Sequence, residues 1–173
     1  LASSTYEQLV VAYSNQDNQA IQSYANVLIK EYGNTVYADV AHMTLAKLFA
    51  TRSDYKKALI QLETVALHAK MPALKQVAKI RKARILLADK SYSQALKELE
   101  QPVDVTYLPL INEIRGDIYA ASGQLPKAVA SYKKALENAD IQELGNIFLE
   151  MKTNELAALT QTQTKANKKV LAG

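Results

Sequence analysis

The chain has 173 residues, 49% of them hydrophobic, with a formal net charge of +4 and no cysteine. That apolar fraction excludes a chain too polar to fold, the missing thiols remove disulfides from the stability argument, and no run approaches the ~20 apolar residues of a membrane-spanning helix. The length suits one core or one short repeat array.

Ala, Leu, Lys, Gln and Glu are abundant and β-branched alternation is nearly absent, so an all-α fold is expected. Helices are predicted over residues 3–15, 17–32, 37–52, 54–69, 73–89, 92–100, 109–122, 125–138 and 141–160. Pro72 sits at a boundary, and Pro109 and Pro126 fall in first turns, where a missing N–H is harmless. Pro102 cuts the sixth helix short and makes 101–108 the longest break. Asp140 with Glu143 resembles a capping box for the last helix, whose Ile141, Leu144, Ile147, Phe148, Met151 and Leu159 mostly follow helical spacing. Beyond Thr160 the polar run QTQTKANKK lacks periodicity, so 161–173 is expected to fray as a flexible tail.

The order of residues repeats. Ala20, Ala58, Ala95 and Ala128 recur near the ~34-residue period of helical-hairpin solenoids. Twelve positions before each alanine stand Gln8, Ala46, Ala83 and Gly116, where two helices must cross closely. One turn after each come Tyr24, Leu62, Leu99 and Tyr132, bulky enough to fill the space beside that crossing. The fourth stretch, GDIYAASGQLPKAVASYKKAL, is the clearest, with Gly116 at the crossing and Gly123 in the turn; it resembles a tetratricopeptide repeat. Gln8 is too large for a close crossing, which leaves the first register open. The expected architecture is a tetratricopeptide-like solenoid over 1–160, with repeats at about 1–36, 37–72, 73–108 and 109–140 and a capping helix at 141–160. Each hairpin buries its apolar face only against its neighbours.

Residues for catalysis do not assemble. His42 and His68 lie in different helices without the spacing that puts two ligands on one metal, and Gly33, Gly116, Gly123 and Gly145 are isolated, matching no phosphate-binding loop. Neither enzymatic activity, nor a cofactor, nor a metal is expected. The basic run Lys75, Lys79, Arg81, Lys82 and Arg84 divides at ~100° per residue into two faces, Lys75, Lys79 and Lys82 on one and Arg81 and Arg84 on the other. The lysine face reads either as a solvated, salt-bridged surface or as a site for an anionic partner, lipid headgroups included. No aromatic side chains interleave with these bases to stack on nucleotides, so no nucleic-acid partner is expected.

In tetratricopeptide arrays the first helix of each hairpin lines the binding groove. The repeat register places Val40, Met43 and Lys47 there from the second unit, Val77, Ile80, Arg84 and Leu87 from the third, and Leu110, Glu113 and Asp117 from the fourth. Arrays that grip a peptide's terminal carboxylate carry Lys, Asn and Arg at such places; Met43 and Leu110 instead point to an apolar groove for a hydrophobic segment of another protein. The apolar last helix could equally fill that groove from within.

The segments VYADVAHMTLAKLFATRSDYKKALIQLETVALHAK, ALKQVAKIRKARILLADKSYSQALKEL and INEIRGDIYAASGQLPKAVASYKKAL, followed by LEMKTNELA, resemble the YfgM family of ancillary SecYEG translocon subunits. The resemblance implies a non-enzymatic, chaperone-like protein at the periplasmic face of the inner membrane. It also implies protein partners: the SecYEG translocon, a PpiD-like membrane-anchored chaperone and secreted client segments. A single-pass N-terminal anchor preceding Leu1 is part of that expectation. The alternative is a repeat adaptor that organises cell-wall or outer-membrane machinery.

Overall fold

The computed structural model describes residues 1–100, 104–137 and 144–171, the side chains of 144–146 and 169–171 excepted. Its elements in order are α1 (Ala2–Ser14), α2 (Asn18–Tyr32), α3 (Val36–Thr51), α4 (Tyr55–His68), α5 (Pro72–Ala88), α6 (Tyr92–Glu98), a 3-10 turn (Val105–Tyr107), α7 (Leu108–Ala121), α8 (Leu125–Glu137) and α9 (Leu144–Leu171). No strand occurs among the described residues. The chain divides into two compact units, Leu1–Asp89 and Lys90–Gly173.

The starts of α2, α3 and α4 are set by short polar side chains that satisfy otherwise orphaned N–H groups. Asp17 accepts from the amides of Gln19 and Ala20 at 3.1 and 3.0 Å, Thr35 from Ala38 at 3.4 Å, and Asp54 from Lys57 at 3.3 Å. Pro72 opens α5 and Pro109 lies in the first turn of α7, as expected of residues without an N–H. The Asp140–Glu143 pair and Pro102 lie outside the described residues.

One backbone feature recurs. The residue two before each of α2, α4, α6 and α8 has a left-handed backbone: Gln16 at φ 56°, Ser53 at 58°, Lys90 at 60° and Gly123 at 77°. Only the last is glycine, and it marks the turn anticipated in the fourth repeat. An added Cβ there would meet nothing within 4 Å, so Gly123→Ala isolates the torsional cost. It is expected to destabilise the second unit by about 1 kcal/mol, read as a lower urea midpoint; an unchanged midpoint would show that this turn accepts a side chain freely.

The left-handed residues also correct the first register. Ala58 and Ala95 stand four positions after Asp54 and Ser91, the residues that precede their helices, and both are fully buried. Four positions after Asp17 stands Ile21, not Ala20; Ile21 is buried and Ala20 only half so. Leu9 accordingly takes the buried place expected of Gln8, which is exposed. The first hairpin runs one residue later than the alanine spacing indicates because the turn residues, not the alanine, fix the start of α2.

In the first unit, Leu9, Ala12, Ile21, Ala25, Leu28, Ala41, Leu45, Leu48, Phe49 and Ala58 form one apolar core between α1, α2, α3 and α4. A second, of Met43, Ala46, Leu62, Val65, Ala66, Ala69 and Ala78, joins α3, α4 and α5. In the second unit, Ala128, Tyr132 and Ala135 of α8 pack with Leu149 of α9, flanked by Tyr119 and Ala120 of α7. At the closest approach of α7 and α8, Gly116 faces the ring of Tyr132. That ring is 1% exposed, so the space beside the small residue is filled as the repeat pattern requires.

The last helix departs from expectation at its end, continuing to Leu171 instead of fraying after Thr160. Ala favours helix, as do Gln and Lys despite their polarity. The hydroxyls of Thr160, Thr162 and Thr164 return hydrogen bonds to carbonyls one turn back, at 2.8, 3.0 and 2.9 Å, so these side chains find their partners within the helix. Among the described residues no helix is long and apolar enough to cross a membrane.

Candidate interaction surface

Two neighbouring depressions open on the first unit, and Lys47 of α3 borders both. The first, about 560 Å3, is lined by Tyr13 at the end of α1, Asn18 and Ile21 of α2, and Thr44, Lys47 and Leu48 of α3. The Lys47 ammonium is hydrogen-bonded to the Tyr13 hydroxyl and lies 5.0 Å from the centre of that ring. The second, about 300 Å3, has a floor of Ala46, Ala50, Leu62 and Ile85 and a rim of Lys47, Arg81 and Arg84. Helical geometry explains the rim. Arg81 and Arg84 are three apart and share a face of α5, turned toward the exposed Lys47 of α3.

The expected groove residues separate into those that reach this surface and those that do not. Lys47 and Arg84 reach it. Met43 does not: at 6% exposure it belongs to the core joining α3, α4 and α5, and Val77 packs against that same core. Ile80 is also buried, at 4%, while Val40 and Leu87 are half-buried and border neither depression. The groove expectation for Met43 and Ile80 is therefore corrected: their side of the helix turns inward. Because Met43 lies inside, its apolar character says nothing about the surface.

In the second unit, Leu110, Glu113 and Asp117 lie half-buried on α7. Asp117 is already engaged, accepting from the Tyr132 hydroxyl and from Lys152 Nζ of α9, each at 2.7 Å. The Lys152 ammonium also lies 5.2 Å from the Tyr132 ring centre. Burial, reinforced by the hydrogen bond to Asp117, pushes the Tyr132 hydroxyl far above its usual pKa, so it remains a donor at any physiological pH. Lys152 of the last helix thus reaches Asp117, one of the expected groove positions.

The lysine face of α5 is likewise partly spent. Lys82, 9% exposed, pairs with Glu63 of α4, and Lys75 Nζ donates to the Leu67 carbonyl at 3.0 Å. Only Lys79 of the three has no described partner, and it is half-buried. The division of the basic run into two faces holds, but Lys75 and Lys82 tie α5 to α4 while the arginines face outward. Arg81 is the surface residue that the repeat register did not select. Its signal lay in that same division, which paired it with Arg84. His42 packs within the hairpin, its Nδ1 2.7 Å from Gln61 Oε1.

A model of the tetratricopeptide repeat-like domain matches residues 1–158. An ancillary SecYEG translocon subunit of Buchnera aphidicola subsp. Schizaphis graminum is 27% identical over 87% of this chain and 76% of that protein. The protein of the same description from Neisseria gonorrhoeae is 31% identical over 80% of this chain and 68% of its own length. Among solved structures, MamA residues 41 to the end from Desulfovibrio magneticus RS-1 superposes with a TM-score of 0.68 at 19% identity, covering 96% of this chain and 93% of that one, a likeness of fold. On its repeat-like domain and on the extent of these matches, the chain belongs to the YfgM family of ancillary SecYEG translocon subunits, all-α proteins of tetratricopeptide-like architecture.

Proposed function

We propose that this protein is a non-enzymatic, chaperone-like scaffold that works beside the Sec translocon at the periplasmic face of the inner membrane and assists the transfer of newly secreted chains. The observation that carries the reading is the pair of depressions joined at Lys47. They open on either side of Lys47 and are lined mainly by residues of packed helices. The family's translocon relatives supply the setting, with SecYEG, a PpiD-like membrane-anchored chaperone and client segments as the partners that fit it.

A photo-crosslinking residue placed at Lys47 in cells is expected to capture translocon components or secreted chains. The same residue at Ile60 of α4, an exposed apolar position that borders neither depression, is expected to capture far less. Equal capture from both positions, or capture from Ile60 alone, would overturn the assignment of this surface.

A further inference from the structure

We infer that the depression between α3 and α5 is a reader of acidic–apolar sequence: it takes an extended partner segment that seats an apolar side chain on the floor and presents a carboxylate to the rim. The inference rests on the interaction role proposed above and specifies the partner's chemistry. The floor is hydrocarbon, since Ala46 and Leu62 are buried and Ala50 and Ile85 are half-buried. The rim is cationic on both sides, with Lys47 across from Arg81 and Arg84. None of the described lining residues is acidic, and among the described residues neither arginine stands in an ion pair.

Two other cations of the unit have carboxylate partners, Lys57 with Asp54 at 2.8 Å and Lys82 with Glu63. At the rim no described lining residue supplies one. Two guanidinium groups one turn apart repel each other and are relieved by an incoming carboxylate, which a guanidinium can bind through two parallel N–H donors. An apolar side chain from the same segment then covers the floor and excludes water from those contacts, which strengthens them. Neutral hydrophobic segments would leave the arginines unrelieved, so the site selects on charge as well as on apolar content. Lys47 can join by leaving Tyr13, or remain there and contribute through space.

The probe is a fluorescein-labelled ten-residue peptide alternating Leu and Asp, titrated by fluorescence anisotropy against the whole chain. Controls are the Leu–Asn and Ser–Asp counterparts, the Arg81→Gln/Arg84→Gln variant, and vesicles of phosphatidylglycerol. The Leu–Asp peptide is expected to bind at least tenfold more tightly than either counterpart, to weaken tenfold or more in the double variant, and to weaken as salt is raised. Both arginines are exposed, so an unchanged circular dichroism melt is expected to show the variant folded. Equal binding of the Leu–Asn peptide, or equal binding by the double variant, would overturn the inference. So would vesicle binding that needs both arginines while the peptide fails to bind, which would assign the rim to lipid headgroups. Crosslinking from Lys47 to the translocon in the double variant, with no preference among peptides, leaves the scaffold role intact and removes the inference; peptide selectivity without such crosslinks does the reverse.

Discussion

Gly116→Ala is expected to lower the stability of the second unit by about 2 kcal/mol, although alanine is the better helix former. In an exposed helix that exchange gains about 1 kcal/mol from propensity. Here the added Cβ would fall inside van der Waals contact of Cδ1 and Cε1 of Tyr132 and 2.8 Å from its Cζ. The ring cannot swing away cheaply, because it is buried among α7, α8 and α9 and its hydroxyl is held by Asp117 at 2.7 Å. Overpacking of a fixed neighbour costs on the order of 3 kcal/mol, which exceeds the propensity gain. Urea unfolding of the variant measures the difference, and Tyr132→Leu in the same background is expected to recover part of the loss by vacating the contested volume. A variant as stable as the parent would show that α7 and α8 do not approach closely at Gly116.

Leu62→Ala is expected to cost about 3 kcal/mol. Leu62 is fully buried and packs with Met43, Ala46, Val65 and Ala78 from three helices, so truncation leaves a cavity that the surrounding backbone can only partly close. Leu67→Ala, at a position 57% exposed, is expected to change stability by less than about 0.5 kcal/mol. Thermal melts of the two proteins side by side provide the check; comparable losses would mean that the core joining α3, α4 and α5 is not the main support of the first unit. The contrast also explains why binding is best tested at the arginine rim. Leu62 lies under the same depression, so altering the floor would confound affinity with folding.

Much of the fold was legible because helical hairpins write their packing into spacing. Ala58, Ala95 and Ala128, with Gly116 and Tyr132, read directly onto buried contacts. The first hairpin was misread by one residue because its close crossing uses Leu9 and Ile21, larger than the alanine and glycine that make such positions visible. The helix of the tail is not legible in apolar periodicity, because Gln, Lys and Ala need no buried face to remain helical. The interaction surface was legible only in part, and for a related reason. A repeat register states which helix faces outward but errs by one position easily, and on a helix one position is ~100°. That rotation separates buried Ile80 from exposed Arg81.

The left-handed residues at Gln16, Ser53 and Lys90 carry a consequence for how such repeats drift. Exchanging any of them for glycine would release ~1–2 kcal/mol of torsional cost and forfeit a smaller part of it by loosening the unfolded chain. The difference is about the 1 kcal/mol expected at Gly123, so each turn tolerates a residue other than glycine at modest cost while remaining strict about its angle. Gln, Ser, Lys and Gly can succeed one another there within a single molecule, and the inheritance of the hairpin passes through a torsion that no letter of the sequence spells.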